Sequence, residues 1–295
     1  MSFISEIEQM LHGFGDCRRP LRETAALVET IVHQQITSLL HQAQEGSELR
    51  GSSEVAVEDI LFVMRHDHIK LQRLLQYLGV LDDSRELQRT VSGGEVEGGE
   101  TADRKKQCIQ FLQSIDQRGQ YDHIFLHQLP DPANTERAYR LDAFTRHMSL
   151  ARYKEYCEAR RASFCPSLRV GKFRDWLSSD TGLNLNQAVL EVLNFLAREA
   201  VAQLVDLALL VRRDAGGDDV TDVLHRYTPT LSLHPTHPAV LLPHTADEVG
   251  GAGAAGEAIT PDEIREALRR YFACSSPLGA FCKMRSPVAC RLFIA

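Results

Sequence analysis

The sequence lacks the marks of a membrane, secreted or zinc-finger protein. No apolar run in its 295 residues approaches the roughly 18 residues that a membrane-spanning helix needs. The first ten residues, MSFISEIEQM, contain two glutamates and no basic region, so they do not resemble a signal peptide. The seven cysteines form no C-x-x-C pair and are odd in number, which predicts reduced thiols in the cytosol or nucleus.

Motifs for catalysis or cofactor binding are also missing. The run GGAGAAG follows no predicted strand, so it does not match a phosphate-binding loop. No Ser, His and Asp stand in the strand–turn context that hydrolases use. His123 and His127 have the spacing of zinc ligands on a helix, but no nearby set of ligands completes the site. We therefore predict a protein that is not an enzyme and has no catalytic residue, metal or cofactor.

A basic excess, which is usual in proteins that grip DNA phosphates, is absent as well. The formal net charge is −7, and residues 1–80 hold seven Lys or Arg against eleven Asp or Glu. Nucleic acid is therefore not the expected partner. A basic protein surface is the better electrostatic match.

What the sequence does contain is helical periodicity. In the first 80 residues a short amphipathic helix precedes a long one, and a short helix follows before the corner at His66-Asp67-His68. Asp67 occupies the N-cap position of a further helix that turns away. The apolar stripes of the long helix and of the short helix after it predict these core residues: Val28, Val32, Ile36, Leu39, Ile60, Leu61 and Met64.

The same order of short, long and short helices returns in the second half. The short KFRDWL segment precedes a stripe of about eight turns, and TPDEIREALRRY begins with a capping box at Thr260 and Glu263. The core residues that we predict from this stripe are Val189, Val192, Leu193, Leu196 and Leu204. Short helices that cross both ends of a long helix are typical of the histone fold, although a plain αα-hairpin or part of a bundle would give the same pattern.

The predicted fold is therefore all-α, with two histone folds in one chain that form an intramolecular pair. We place the first fold at 1–80 and the second at 148–272, with a loop insertion at 214–258. Between the folds, residues 81–147 are expected to form an acidic and polar linker with short helices. The final segment, 273–295, is expected to be a disordered tail.

Several segments, taken in order, resemble the Spt-three family of SAGA coactivator subunits. They include GDCRRPLRETAALVE, LRGSSEVAVEDILFVMRHD, YKEYCEARRASF, KFRDWL, AREAVAQLVDLALLVRRD and IREALRRYF. The resemblance covers about residues 3–80, 148–213 and 259–272. It implies a nuclear, non-enzymatic transcription subunit that binds the TATA-binding protein (TBP) and other SAGA-type subunits. The alternative is a histone-fold DNA-binding subunit of the NF-Y type, because EDILF recurs in that group.

Two sets of residues are candidates for specific roles. Arg50 and Asp59 match a loop arginine and a helix aspartate that commonly pair in histone folds, although Asp59 could also be a surface acid that complements the helix dipole. Glu199 lies at the edge of the apolar stripe, where we expect its carboxylate to reach solvent. It is a candidate contact for basic TBP because it matches an acidic position of the family, and a solvated flank residue is the alternative.

Overall fold

Every regular element in the described part of the chain is a helix. The structure is a computed structural model, and it describes residues 2–91, 104–126, 129–146, 148–165, 170–183, 185–215 and 258–273. Nearly all of the predicted insertion at 214–258 and of the predicted tail at 273–295 lies outside these residues. Within them, no helix is long and apolar enough to cross a membrane.

The first half contains four helices in the predicted order: α1 (Ile4–Phe14), α2 (Arg22–Leu49), α3 (Val57–Met64) and α4 (His68–Val91). Helix α1 stops at Gly15, whose φ of 125° is a conformation that L side chains rarely adopt. The corner between α3 and α4 is capped as predicted, because Asp67 Oδ1 accepts a hydrogen bond of 2.9 Å from the backbone N–H of Lys70.

Helix α4 extends beyond the segment that we assigned to the first fold. It continues past residue 80 to Val91, so the first part of the segment 81–147 is helical over 81–91. Its polar side chains suggested a linker, but they pair with other helices. For example, Arg85 Nη2 lies 2.7 Å from Glu191 Oε2 in the second half.

The middle of the chain contains α5 (Arg104–Ile115), α6 (Asp122–Leu126), α7 (Pro132–Thr145) and α8 (Leu150–Arg161). The second half contains α9 (Val170–Thr181), α10 (Gln187–Ala215) and α11 (Pro261–Ala273). Proline begins both α7 and α11, where its missing N–H costs nothing. The predicted capping box is present, since the Thr260 hydroxyl and the Glu263 carboxylate accept from each other's backbone N–H.

The long helices α2 and α10 join the two halves through one hydrophobic core. Helix α2 packs on α9, α10 and α11 as well as on α1 and α3. The predicted core residues are all within this core and at most 1% exposed: Val28, Val32, Ile36, Leu39, Ile60, Leu61, Met64, Val189, Val192, Leu193, Leu196 and Leu204. The prediction of an all-α chain with two paired histone folds is confirmed.

A group of aromatic rings packs the N-terminal residues against the second half of the chain. Phe3 packs edge-on against Phe164 and Trp176, with ring centroids 5.4 and 5.3 Å apart. Phe173 completes the group, and Lys172 lies 4.0 Å above the Phe3 ring. Such aromatic pairs contribute about 0.5–1.5 kcal/mol each beyond the area that they bury.

Helices α1 and α8 approach each other closely at Gly13. A Cβ atom on Gly13 would lie 3.0 Å from the carbonyl oxygen of Ala159 and 3.1 Å from the Cα of Arg160. The Tyr156 hydroxyl donates a hydrogen bond of 3.1 Å to the Gly13 carbonyl at the same crossing. Because the obstructing atoms are backbone, no side-chain rotation can relieve the contact.

We expect Gly13→Ala to destabilise the protein by up to about 2 kcal/mol, since an overpacking cost of about 1–3 kcal/mol is offset by a gain in helix propensity of about 1 kcal/mol. Gly171→Ala is the matched control, because a Cβ there meets no atom within 4 Å. Chemical denaturation of both variants measures the difference. If Gly13→Ala is as stable as Gly171→Ala, the close crossing of α1 and α8 is wrong.

Candidate functional site

The polar side of α10 is covered by other helices. Glu191, Asn194 and Arg198 lie on that side. Asn194 is only 8% exposed, and its side-chain oxygen accepts a hydrogen bond of 3.0 Å from the backbone N–H of Cys165. The Glu191 carboxylate pairs with Arg85 of α4 and Arg104 of α5. The polar side of α10 is therefore paired within the chain.

Glu199 lies at the centre of a larger cluster on the same helix. Its carboxylate accepts hydrogen bonds from Arg73 of α4 and, at 2.8 Å, from Arg137 of α7. Arg73 also holds Asp131, the N-cap of α7, through two hydrogen bonds of 2.6 Å. One carboxylate thus connects α4, α7 and α10.

The cluster continues one turn along α7 and two turns along α10. Arg137 Nε lies 2.6 Å from Asp206, which also pairs with Arg140. The cluster is neutral, with three arginines and three carboxylates, and every side chain in it is between 13% and 24% exposed. We call it the α4–α7–α10 cluster: Arg73, Asp131, Arg137, Arg140, Glu199 and Asp206.

Burial and pairing act in opposite directions on these groups. Burial raises the pKa of Asp131, but the hydrogen bonds from Arg73 and from the Asn134 N–H outweigh it, so the pKa is lower than the ordinary value. Burial lowers the pKa of Arg137, and the charges of Glu199 and Asp206 more than offset that effect. The charged forms are therefore the favoured ones in the folded protein.

The expectation that the Glu199 carboxylate reaches solvent is wrong. Its side chain is 13% exposed and is occupied by two guanidinium groups of the same chain. An unpaired buried glutamate would be costly, and the pairing with Arg73 and Arg137 offsets that cost. The assignment of Glu199 as a direct contact for a partner is untested.

Helix α7 depends on this cluster more than on apolar packing. None of its residues is buried, and Tyr139 on its outer face is 67% exposed. Phe144 does contact Tyr156 of α8, with ring centroids 5.1 Å apart. The main connection between α7 and the paired folds is therefore electrostatic.

The predicted pair of Arg50 and Asp59 is close in the structure. Arg50 Nη2 lies 2.7 Å from Asp59 Oδ2, and the same carboxylate oxygen accepts from the backbone N–H of Ala56. Asp59 is 7% exposed, whereas the Arg50 side chain is 48% exposed. The pair connects the end of α2 to the start of α3. Its role in specifying the fold is still a prediction.

The described residues contain no group of three or more His, Cys, Asp or Glu that could hold a metal ion. His123, one of the two histidines considered for zinc, lies 3.2 Å from His68 through facing ring nitrogens. His127 lies outside the described residues. Burial lowers the pKa of His68, and neighbouring His123 lowers it further.

We expect Glu199→Lys to destabilise the protein by about 3–5 kcal/mol, because it leaves two guanidinium groups facing a third cation in a partly buried site. Glu199→Gln keeps the shape and should cost about 1–3 kcal/mol. Glu136→Lys is the control on α7, since its pair with Arg213 is 3.4 Å long and exposed. Denaturation midpoints measure all three, and a Glu199→Lys protein as stable as the control contradicts the cluster.

Comparison with known proteins agrees with this architecture. The family described as "Transcription initiation factor IID, 18kD subunit" matches residues 1–91, which are the four helices of the first half. The chain is 37% identical over 95 residues to transcription initiation factor TFIID subunit 13 of Arabidopsis thaliana, covering 32% of this chain and 74% of that protein.

Longer matches extend across both halves. The chain is 29% identical over 227 residues to SAGA complex subunit Spt3 of Schizosaccharomyces pombe, covering 70% of this chain and 72% of the relative. It is 27% identical over 287 residues to SAGA complex subunit Spt3 of Drosophila melanogaster, covering 94% and 69%. Together with the paired histone folds, these matches show that the chain belongs to the Spt3 family of SAGA transcription coactivator subunits.

Proposed function

We infer that the protein is a non-enzymatic subunit of a SAGA-type coactivator complex, and that it acts in the nucleus by binding TBP. The observation that carries this proposal is the match to SAGA subunits across both halves of the chain. Its partners are TBP and the other subunits of the complex. TBP binding itself rests on the family resemblance and on the charge of the surface.

An acidic and apolar surface around the α2–α3 connection is the best candidate for the TBP contact. Leu49 is 92% exposed and Phe62 is 45% exposed, which leaves apolar area available to a partner. Exposed carboxylates surround the same connection in sequence. We define this surface, the α2–α3 tip, as Glu45, Glu48, Leu49, Glu54 and Phe62. Acids beside apolar side chains suit a basic partner protein.

The same surface argues against sequence-specific DNA binding of the NF-Y type. Carboxylates repel the phosphate backbone, which supplies most of the affinity in protein–DNA complexes. No basic rim compensates in the first half, which carries eleven acidic against seven basic residues over 1–80. We therefore propose protein partners only.

Glu199 has an indirect role in this proposal, because its contacts position α7. Because two arginines of the chain occupy its carboxylate, TBP could bind it only by displacing them. We propose that Glu199 supports TBP binding by holding α7 in place. Substitutions at Glu199 would then change TBP binding and the stability of the protein together.

When tagged full-length protein is purified from nuclei, mass spectrometry should find SAGA subunits and TBP that co-purify with it.

In a titration with pure TBP, Leu49→Ser combined with Phe62→Ser should weaken binding at least about tenfold, or about 1.4 kcal/mol. Leu87→Ser is the control, because Leu87 is 66% exposed on a different helix. Equal TBP affinity of all variants would exclude the α2–α3 tip as the TBP contact. In the purification, recovery of NF-Y-type subunits without SAGA subunits would overturn the proposed function.

A further inference from the structure

The segment after α8 has the sequence Arg160-Arg161-Ala162-Ser163-Phe164. Arginine-directed serine kinases recognise a serine with arginines two and three positions before it and an apolar residue after it, since their substrate grooves read charge patterns. No other Ser or Thr in the chain follows two consecutive basic residues at these positions. Ser163 is therefore distinguished by sequence from every other hydroxyl in the protein.

The structure leaves this serine chemically available. Helix α8 ends at Arg161, and both arginines of the motif are exposed. Ser163 is partly exposed, and among the described residues its hydroxyl makes no hydrogen bond. The next residue, Phe164, is fully buried in the aromatic group with Phe3. A kinase would therefore act when this short segment opens locally, as irregular segments do more readily than cores.

A second feature lies beside this segment, because an arginine of α10 caps the C-terminal end of α8. Arg198 of α10 donates hydrogen bonds to the carbonyl oxygens of Arg160, at 2.8 Å, and of Ala162, at 3.4 Å. Its guanidinium also lies 4.9 Å from the centre of the Phe14 ring. Within the described residues it forms no ion pair with a carboxylate, in contrast to the other arginines of α4, α7 and α10 described above.

The carbonyls at the end of α8 supply Arg198 with only a partial negative charge. Burial lowers the pKa of Arg198, the nearby charge of Glu199 offsets this only in part, and Arg160 adds repulsion. Arg198 thus holds a positive charge beside the carbonyls of Arg160 and Ala162, the second of which directly precedes Ser163. A dianion on Ser163 would supply the charge that the site lacks.

We propose that Ser163 is a phosphorylation site of an arginine-directed serine kinase, and that Arg198 binds the resulting phosphate. In the reaction the Ser163 Oγ forms a bond to the γ-phosphorus of MgATP, and the bond from that phosphorus to the β–γ bridging oxygen breaks. The hydroxyl proton passes to the base of the kinase, and ADP leaves. The phosphate oxygens then accept the Arg198 hydrogen bonds in place of the carbonyls of Arg160 and Ala162.

Two electrostatic effects oppose each other at the phosphorylated site. A phosphate just beyond the end of α8 is unfavourable with the partial negative charge of a helix C-terminus. Three guanidinium groups, those of Arg160, Arg161 and Arg198, favour it, and one of them is already desolvated. Full charges outweigh the half charge of a helix end, so phosphorylation should hold the segment more tightly.

The first test treats the purified full-length chain with an arginine-directed serine kinase and MgATP and maps phosphate by mass spectrometry. We expect modification at Ser163, and its loss in Ser163→Ala. Ser149 is the internal control, because it is exposed but has only Arg146 three positions before it. Phosphate on Ser149 without phosphate on Ser163 would overturn the assignment.

The second test asks whether Arg198 binds the phosphate. Phosphorylation should raise Tm by about 2–4 °C in the otherwise unchanged chain, and should lower it in Arg198→Gln. Arg152→Gln, which removes an exposed cation of α8, should behave like the unchanged chain. The same shift in both variants would exclude Arg198 as the receptor.

If Arg198→Gln does not fold, a ³¹P NMR titration with pH tests whether Arg198 binds the phosphate. The second pKa of the phosphoserine should lie below its ordinary value of about 6 in the unchanged chain. It should lie closer to 6 in Arg198→Lys than in the unchanged chain, because lysine keeps the charge but loses the planar pair of donors. An ordinary phosphoserine pKa in the unchanged chain would contradict the proposal, whatever the outcome of TBP binding.

Discussion

Burial of the apolar faces of α2 and α10 in one shared core is the interaction on which the rest of the structure depends. A long helix with a short helix across each end cannot cover its own apolar stripe, so each histone fold needs a second one. In this chain the second fold is supplied by the same polypeptide. Residues from both long helices, such as Ile36 and Leu196, are fully buried in that core.

Pairing within one chain creates a second requirement, because the connection between the folds must cross the surface of the pair. Residues of α5 and α6, such as Leu112 and Ile124, extend the shared core across this connection, whereas α7 is attached mainly by charge. Helix α7 has no buried residue, yet Arg137 and Arg140 connect it to Glu199 and Asp206 on α10. Desolvation cancels much of the attraction within such a cluster, but removal of one partner is costly because it leaves a buried charge unpaired.

Much of the fold could be predicted from the sequence, because its causes are local. The apolar stripes of α2 and α10 and the capping box at Thr260 depend on spacings of three or four residues. The cluster at Glu199 has no local cause, since Arg73 is 126 residues away in sequence. The available signal was complementary spacing: Arg137 and Arg140 one turn apart on α7, and Glu199 and Asp206 two turns apart on α10. The extension of α4 over 81–91 was missed for the same reason, because Arg85 pairs with Glu191 and Asp82 accepts from the backbone N–H of Lys105, both far away in sequence.

The central claim is that the two histone folds of one chain pair with each other. The most direct test is to cleave the chain once between the folds and to measure the mass of the species that remains in solution. A protease site placed within the glycine-rich residues 92–103 allows the two halves to be separated covalently after folding. Sedimentation equilibrium of the cut protein should then give one species close to the 33.1 kDa of the uncut chain. Two separate fragments, or a species of twice that mass, would contradict the account.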